Sequence, residues 1–279
     1  MNTTLTLLGT GTPGCYANRY QTAASLVVGE MPIVIDCGGG TVQRLASACA
    51  AGQPALALNN LNTLILTHLH PDHSAGLADF IISTWIKGRQ EPLMIYGPAG
   101  TKKMVGLLVE AYELGIAEHW ETVSPTGWPL RYEVIEYTAG ELLATAEVTV
   151  TTFQVEHGRM ETYGLKFVTT DKTIVFSADT CPHPAVIEHG KGCDILVHEV
   201  YSERGIQQSQ PFVPLEYFRR MHTSTVELAE IANEIRPRKL ILTHQMHLGP
   251  ISDEEFLAEI TDLYDGEVIF GRDLEIFQV

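Results

Sequence analysis

The chain has 279 residues, 45% hydrophobic and 19% charged, with 24 glycines and 14 prolines, a balance that excludes disordered and fibrous classes. Its 34 acidic side chains outnumber 18 basic ones, for a net charge of −16, and such a surface repels a phosphate backbone unless a local basic patch offsets it. The densest basic stretches are only Lys102-Lys103, Arg219-Arg220 and RPRK at 236–239, and no apolar run reaches the roughly 18 to 20 residues of a membrane span.

In chain order, the opening MNTTLTLLGTGTP has no basic leader region and reads directly as a first strand, so a cytoplasmic protein is expected. Apolar alternation and apolar runs predict strands near 4–9, 23–28, 32–36, 63–66, 92–96, 147–154, 163–169, 173–177, 194–198, 239–243 and 267–270. Helical periodicity falls between them, near 40–51, 74–88, 99–115, 183–190, 224–235 and 252–264. Ser224 with Glu227 and Ser252 with Glu255 fit capping boxes, in which serine and glutamate satisfy free amides of a first helical turn. The turn cluster SPTGWP at 124–129 reads as an insertion edge, and no linker or repeat divides the chain, so a single domain over 1–279 is expected. A strand-rich first half followed by strand and helix alternation suggests two sheets with helices outside them, an α/β fold. Five cysteines at 15, 37, 49, 181 and 193 show no CxxC pairing and read as incidental thiols.

The stretch THLHPDH, Thr67 to His73, follows the apolar run Leu64-Ile65-Leu66 and concentrates chemistry at one strand end. His68 and His70 are two apart, so an extended segment points both to one side. Pro71 favours a turn, and Asp72 and His73 then open a helical run beside the first pair. Imidazoles with a carboxylate suit zinc and other first-row divalent ions, and two such sets can hold two ions that activate one bridging water.

This HxHxDH pattern resembles the metallo-β-lactamase superfamily. The further residues of that resemblance occur in order: His157 in VEHG, Asp179 in FSADT and His244 in LILTH. It runs from LGTGTPG to His244 and implies a four-layer αβ/βα sandwich, the metallo-β-lactamase fold, with metals at one edge between the sheets. His68, His70 and His157 are thereby expected at a first ion, Asp72, His73 and His244 at a second, and Asp179 between them. The expected cofactor is two divalent metal ions, zinc foremost with manganese or iron as alternatives. Within the superfamily the chain is similar to the ribonuclease Z and arylsulfatase branch, through LGTGTP, EPLMIYGP at 91–98, HEV at 198–200 and His222-Thr223-Ser224. The resemblance implies that His222 protonates the leaving group, for which an imidazolium is needed. Glu199 is the candidate carboxylate favouring it. The catalytic candidates are therefore Asp72, His222 and Glu199.

Such a site implies a hydrolase of ester bonds in which a metal-bridging hydroxide attacks a sulfuric ester or phosphoric diester. Ribonuclease Z enzymes resemble this pattern but usually carry a long basic arm between the positions of His157 and Asp179, whereas here RMETYGLKFVTTDKTIVFSA reads as a plain hairpin. With the acidic charge, that favours a small anionic ester, an aryl sulfate or phosphodiester, over nucleic acid. STWIKGRQEPL, HEVYS and THQMHLGPISDEEFLAEI look arylsulfatase-like. The alternative readings are a ribonuclease Z-like tRNA 3′-processing endonuclease and a non-catalytic metal-binding sensor. A homodimer follows from the branch resemblance alone. His119, His183, His189 and His198 are expected in loops or helix ends in structural or surface roles, His247 is left open, and Trp85, Trp120, Trp128, Tyr112 and Phe212 are candidates for an aromatic lining.

Overall fold

A computed structural model describes residues 3–14, 16–123, 129–209 and 213–278. The elements in chain order are β1 (Thr3–Gly9), β2 (Ala23–Val28), β3 (Met31–Ile35), α1 (Thr41–Ala50), β4 (Thr63–Ile65), α2 (Pro71–Ser74), α3 (Leu77–Ile86), β5 (Leu93–Gly97), α4 (Thr101–Ala111), α5 (Glu113–Val123), β6 (Tyr132–Glu136) and β7 (Gly140–Ala144). The second half continues with β8 (Val148–His157), β9 (Met160–Thr169), β10 (Thr173–Phe176), α6 (Pro184–Gly190), β11 (Ile195–Tyr201), α7 (Glu203–Gln208), α8 (Leu215–Met221), α9 (Thr225–Ile235), β12 (Lys239–Met246), α10 (Asp253–Thr261), β13 (Val268–Phe270) and β14 (Ile276–Gln278).

The strands form two seven-stranded sheets, ordered β14-β1-β2-β3-β4-β5-β6 and β13-β12-β11-β10-β9-β8-β7. Each is antiparallel in one half and parallel in the other: β3 to β6 run parallel in the first sheet, and β10 to β13 in the second. The inner faces interdigitate through Leu5, Leu26 and Ile33 from one sheet and Val150, Phe167 and Ile174 from the other, all buried. Helices α1 and α3 cover the outer face of the first sheet through Leu45 and Phe80, and α9 and α10 cover the second through Leu228 and Phe256. The result is the four-layer αβ/βα sandwich.

The parallel strands read most clearly in sequence because both faces are buried and the runs are continuously apolar. The edge strands β6, β7 and β14 carry no such run; β6 and β7 are half exposed, and they escape the sequence reading. The expected helix 74–88 is α3, starting after Gly76, where a Cβ would collide with the carbonyls of Gly38 and Cys37, and the short α2 precedes it. The expected 99–115 helix likewise breaks at Tyr112 into α4 and α5. Both capping boxes form as expected. The segment from 157 to 179 is a tight hairpin with no added arm, since His157 on β8 pairs directly with Met160 on β9. Residues 124–128 of the turn cluster lie outside the described residues, and no described helix is long and apolar enough to cross a membrane.

Candidate metal centre

The site lies where the parallel strands of both sheets end, the position at which α/β sheets open a crevice. From β4 the chain runs through Thr67 and His68 to His70, the N-cap of α2. Pro71 occupies the first turn, where its missing amide costs nothing. Asp72 and His73 follow within that turn and are buried. The second sheet contributes His157 at the end of β8, Asp179 just beyond β10, Glu199 within β11 and His244 within β12. His222 terminates α8 as its C-cap residue.

These groups converge. The ligand-capable atoms of His68, His70 and His157 lie within 4.8 Å of one another, as do those of Asp72, His73 and His244, and those of His68, His73 and Asp179. Asp179 Oδ2 stands at 3.3 Å from His244 Nε2, 3.4 Å from His73 Nε2, 3.8 Å from His157 Nε2 and 4.0 Å from His68 Nε2. Asp72 Oδ2 is 3.0 Å from His244 Nε2.

At His68, His73 and His157 the outer ring nitrogen is anchored on protein groups away from the cluster. His157 Nδ1–H donates to the Met221 carbonyl at 2.7 Å; a carbonyl only accepts, so Nε2 of the neutral ring is left a bare acceptor. It faces His70 Nδ1 at 3.0 Å. His73 Nδ1 meets Asp36 Oδ2 at 2.8 Å, and His68 Nδ1 meets Thr67 Oγ1 at 3.0 Å. Their Nε2 atoms are buried without a hydrogen-bond partner. Burial of an unpaired acceptor is costly, and outer-nitrogen anchoring of this kind is how metal-ligating histidines are oriented. This donor set of imidazoles and two carboxylates fits divalent first-row ions.

Burial acts in the same sense at three of the rings. Burial pushes His157 down to about 4 and His68 well below the usual imidazole range. It also lowers His70. Burial opposes charge on His73 too, but Asp179 and Asp36 outweigh it and hold this ring well above the usual value. Asp179 is likewise held well below the usual carboxylate range, against its burial, by His244 and His73. Asp72 is lowered, against burial, by His244 and His73.

His222 stacks on His244 with ring centroids 5.6 Å apart, and lies edge-on to His157 at 5.0 Å. Glu199 is beside it as expected, with Oε2 3.3 Å from His222 Nδ1. Glu199 Oε1 accepts from the amides of Thr223 at 2.9 Å and Thr180 at 3.3 Å, tying the His222 loop to the Asp179 loop. Burial opposes the imidazolium expected of His222 and lowers this ring, against Asp179 and Asp72, and burial together with Asp179 raises Glu199 well above its usual range. Both groups are thereby shifted toward their neutral forms rather than toward an ion pair.

Asp36 was not anticipated. It accepts from the amide of Thr67 at 2.7 Å and from its hydroxyl at 2.8 Å, as well as facing His73. Its signal in sequence was an aspartate ending a buried strand before three glycines, Gly38 to Gly40. A Cβ at Gly38 would collide with the Asp72 carbonyl, so only glycine lets this loop approach α2.

The other histidines stay apart from the centre. His119 lies inside α5 against Trp85, His183 caps α6, and His189 stacks on Phe153 in the last turn of α6. His198 is corrected from a loop or helix-end position to the interior of β11, fully buried, its Nδ1–H donating to the Glu199 carbonyl at 2.6 Å. His247 meets Asp253 at 2.9 Å and packs on Phe256. Trp85 and Trp120 border a groove with Val109 and Ile116 that no site residue lines. Tyr112 is exposed, so this aromatic lining does not form at the centre, and Trp128 and Phe212 lie outside the described residues. Cys37, Cys49, Cys181 and Cys193 are unbridged.

Comparison with known proteins places this geometry. A beta-lactamase superfamily domain matches residues 32–245. A protein named Ribonuclease Z from Mycobacterium bovis is 31% identical over 287 residues, covering 99% of this chain and 98% of the relative. Among solved structures, the metallo-beta-lactamase fold protein YhfI from Bacillus subtilis superposes with a TM-score of 0.75 at 20% identity over 100% of both chains. The short form of human tRNase Z superposes with a TM-score of 0.71 at 21% identity over 98% of both. The M. bovis alignment is barely longer than the 279-residue chain, so that relative carries no long insertion that this chain lacks, and the missing arm does not separate them. The chain belongs to the metallo-β-lactamase superfamily, among its ribonuclease Z-like hydrolases.

Proposed function

We propose that the chain is a two-metal phosphodiesterase of the ribonuclease Z kind, hydrolysing a phosphodiester bond of RNA. The end-to-end relationship to a protein of that name carries the reading, and His222 beside the histidine and aspartate cluster supports it. His68, His70 and His157 would hold one ion, Asp72, His73 and His244 the other, with Asp179 facing both groups. Ions held there lower the pKa of water and neutralise charge that develops on the phosphate. With Nδ1 turned to Glu199, His222 would give its Nε2 proton to the departing oxygen while Nδ1 takes up the carboxyl proton of Glu199, so the ring stays neutral. Glu199 keeps the imidazole oriented because its other oxygen is fixed by two backbone amides.

A second reading, a small anionic ester such as an aryl sulfate, draws on the net charge of −16 and the short hairpin between His157 and Asp179. One panel separates the two. Protein of measured metal content is offered a 3′-extended tRNA precursor, bis(4-nitrophenyl) phosphate and 4-nitrophenyl sulfate, with and without a chelator. Two ions per chain and chelator-sensitive cleavage of the precursor are expected. An intact precursor at low salt, with the sulfate turned over, replaces the first reading by the second.

A further inference from the structure

We propose that Arg159 and Arg220 form an anion subsite at the mouth of the metal centre, which grips a phosphate of the substrate other than the one being cleaved. The inference rests on the phosphodiesterase reading and names a feature of its substrate: a second anionic group.

The observation is a contrast among the eleven arginines. Eight have partners. Arg236, Arg238 and Arg272 pair with Asp265, Asp194 and Asp253, and Arg219 reaches Glu203 at 3.9 Å. Arg19 donates to Thr10 and Gln245, and Arg89 and Arg131 donate to carbonyls. Arg44 lies over the ring of Tyr20. Among the described arginines, only the guanidinium groups of Arg159, Arg204 and Arg220 have no hydrogen bond, ion pair or ring contact, and all three residues are exposed. In a chain with 34 carboxylates, unpaired guanidinium groups are not a product of scarcity.

Two of the three flank the metal centre. Arg159 is at the tip of the β8–β9 hairpin, two residues beyond His157, and Arg220 is in the last turn of α8, two residues before His222. The two segments touch: His157 Nδ1 donates to the Met221 carbonyl, and a Cβ on Gly158 would lie 2.5 Å from Met221 Sδ. Glu161, the nearest acid along the hairpin, accepts instead from the Tyr163 hydroxyl at 2.6 Å. Two exposed guanidinium groups on adjoining segments present planar donors to one region of solvent, and a doubly charged phosphate can accept from both.

The test uses a matched pair, thymidine 5′-(4-nitrophenyl phosphate) with and without a 3′-phosphate, on metal-loaded protein. The wild type is expected to prefer the 3′-phosphorylated ester, and the double variant Arg159→Ala/Arg220→Ala to lose about tenfold in that preference ratio, as expected for charged hydrogen bonds. Arg238→Ala, remote from the site, controls for net charge and should keep the ratio. Calorimetric binding of thymidine 3′,5′-bisphosphate gives a readout without turnover, and should weaken about tenfold in the double variant. If neither ester is cleaved but bisphosphate binding depends on both arginines, the phosphodiesterase reading fails and the subsite stands. An unchanged ratio and unchanged bisphosphate affinity overturn the subsite.

Discussion

The two sheets contribute to one centre in opposite ways. The first supplies His68, His70, Asp72 and His73 from a single turn of chain between β4 and α2, so their relative placement is local. The second supplies His157, Glu199 and His244 from three strands and Asp179 from just beyond a fourth, and the placement of Glu199 and His244 depends on parallel register, Val197 opposite Ile241 and Glu199 opposite Thr243, with a shift between Glu199 and Val200. Ala178 and His244 also sit at positive φ, 57° and 46°. Backbone of that kind in a residue other than glycine costs on the order of 1–3 kcal/mol, so the second half of the centre persists because the sheet around it holds it. The first half carries one such residue, Asp36 with φ 57°, and there the side chain bonds Thr67 and His73 directly.

Removing the group that joins the halves should have the largest effect. Asp179 on the second sheet faces His68 and His73 on the first. Asp179→Ala is expected to lose bound metal and on the order of a thousandfold in kcat/KM, read by elemental analysis and phosphodiester hydrolysis. Full metal content in the variant would mean that the two halves hold their ions independently.

The next effect divides holding from chemistry within the second half. His222→Ala should lower kcat by roughly 10²–10⁴, the range for a general acid, while metal content persists. A loss of metal along with activity would move His222 from proton donor to ligand. A smaller effect belongs to the first half. Asp36→Asn removes a charged partner of His73 and should weaken metal affinity by about 10–100-fold, with kcat largely recovered at saturating metal; an unchanged titration would show that Thr67 and the fold suffice to orient His73.

The same contrast explains what could be read in sequence. THLHPDH was legible because four chemical groups fall within one turn and the apolar run before them announces the strand. His157, Asp179 and His244 are single residues at ends of apolar runs, and became readable only through their order behind that motif. Asp36 stayed hidden because an aspartate before glycines is also an ordinary turn, and its partners Thr67 and His73 lie 31 and 37 positions away. The shift of Glu199 and His222 toward neutral forms was beyond sequence for another reason: adjacency was inferable, but the burial that causes it is a property of the packed loops. The reading of RNA as a less favoured partner relied on the short hairpin between His157 and Asp179 and on overall charge, which averages over the surface.

The smallest predicted effect isolates the link between fold and chemistry most cleanly. Ser224 and Ser252 make equivalent capping boxes, each accepting from the amide of a glutamate three residues on, at 3.3 Å and 3.2 Å. Replacing either by alanine should cost about 1 kcal/mol of stability, measured by denaturant unfolding. The surroundings differ: Ser224 follows Thr223, whose amide is held by Glu199, and bridges to Tyr201 beside the centre, whereas Ser252 heads α10 and is joined to no site residue by a hydrogen bond. If the second half of the centre is held by its surrounding sheet and loops, Ser224→Ala should lower kcat by a few-fold more than Ser252→Ala at equal loss of stability. Equal kcat in the two variants would show that Glu199 alone positions His222, and that the α9 cap serves folding only.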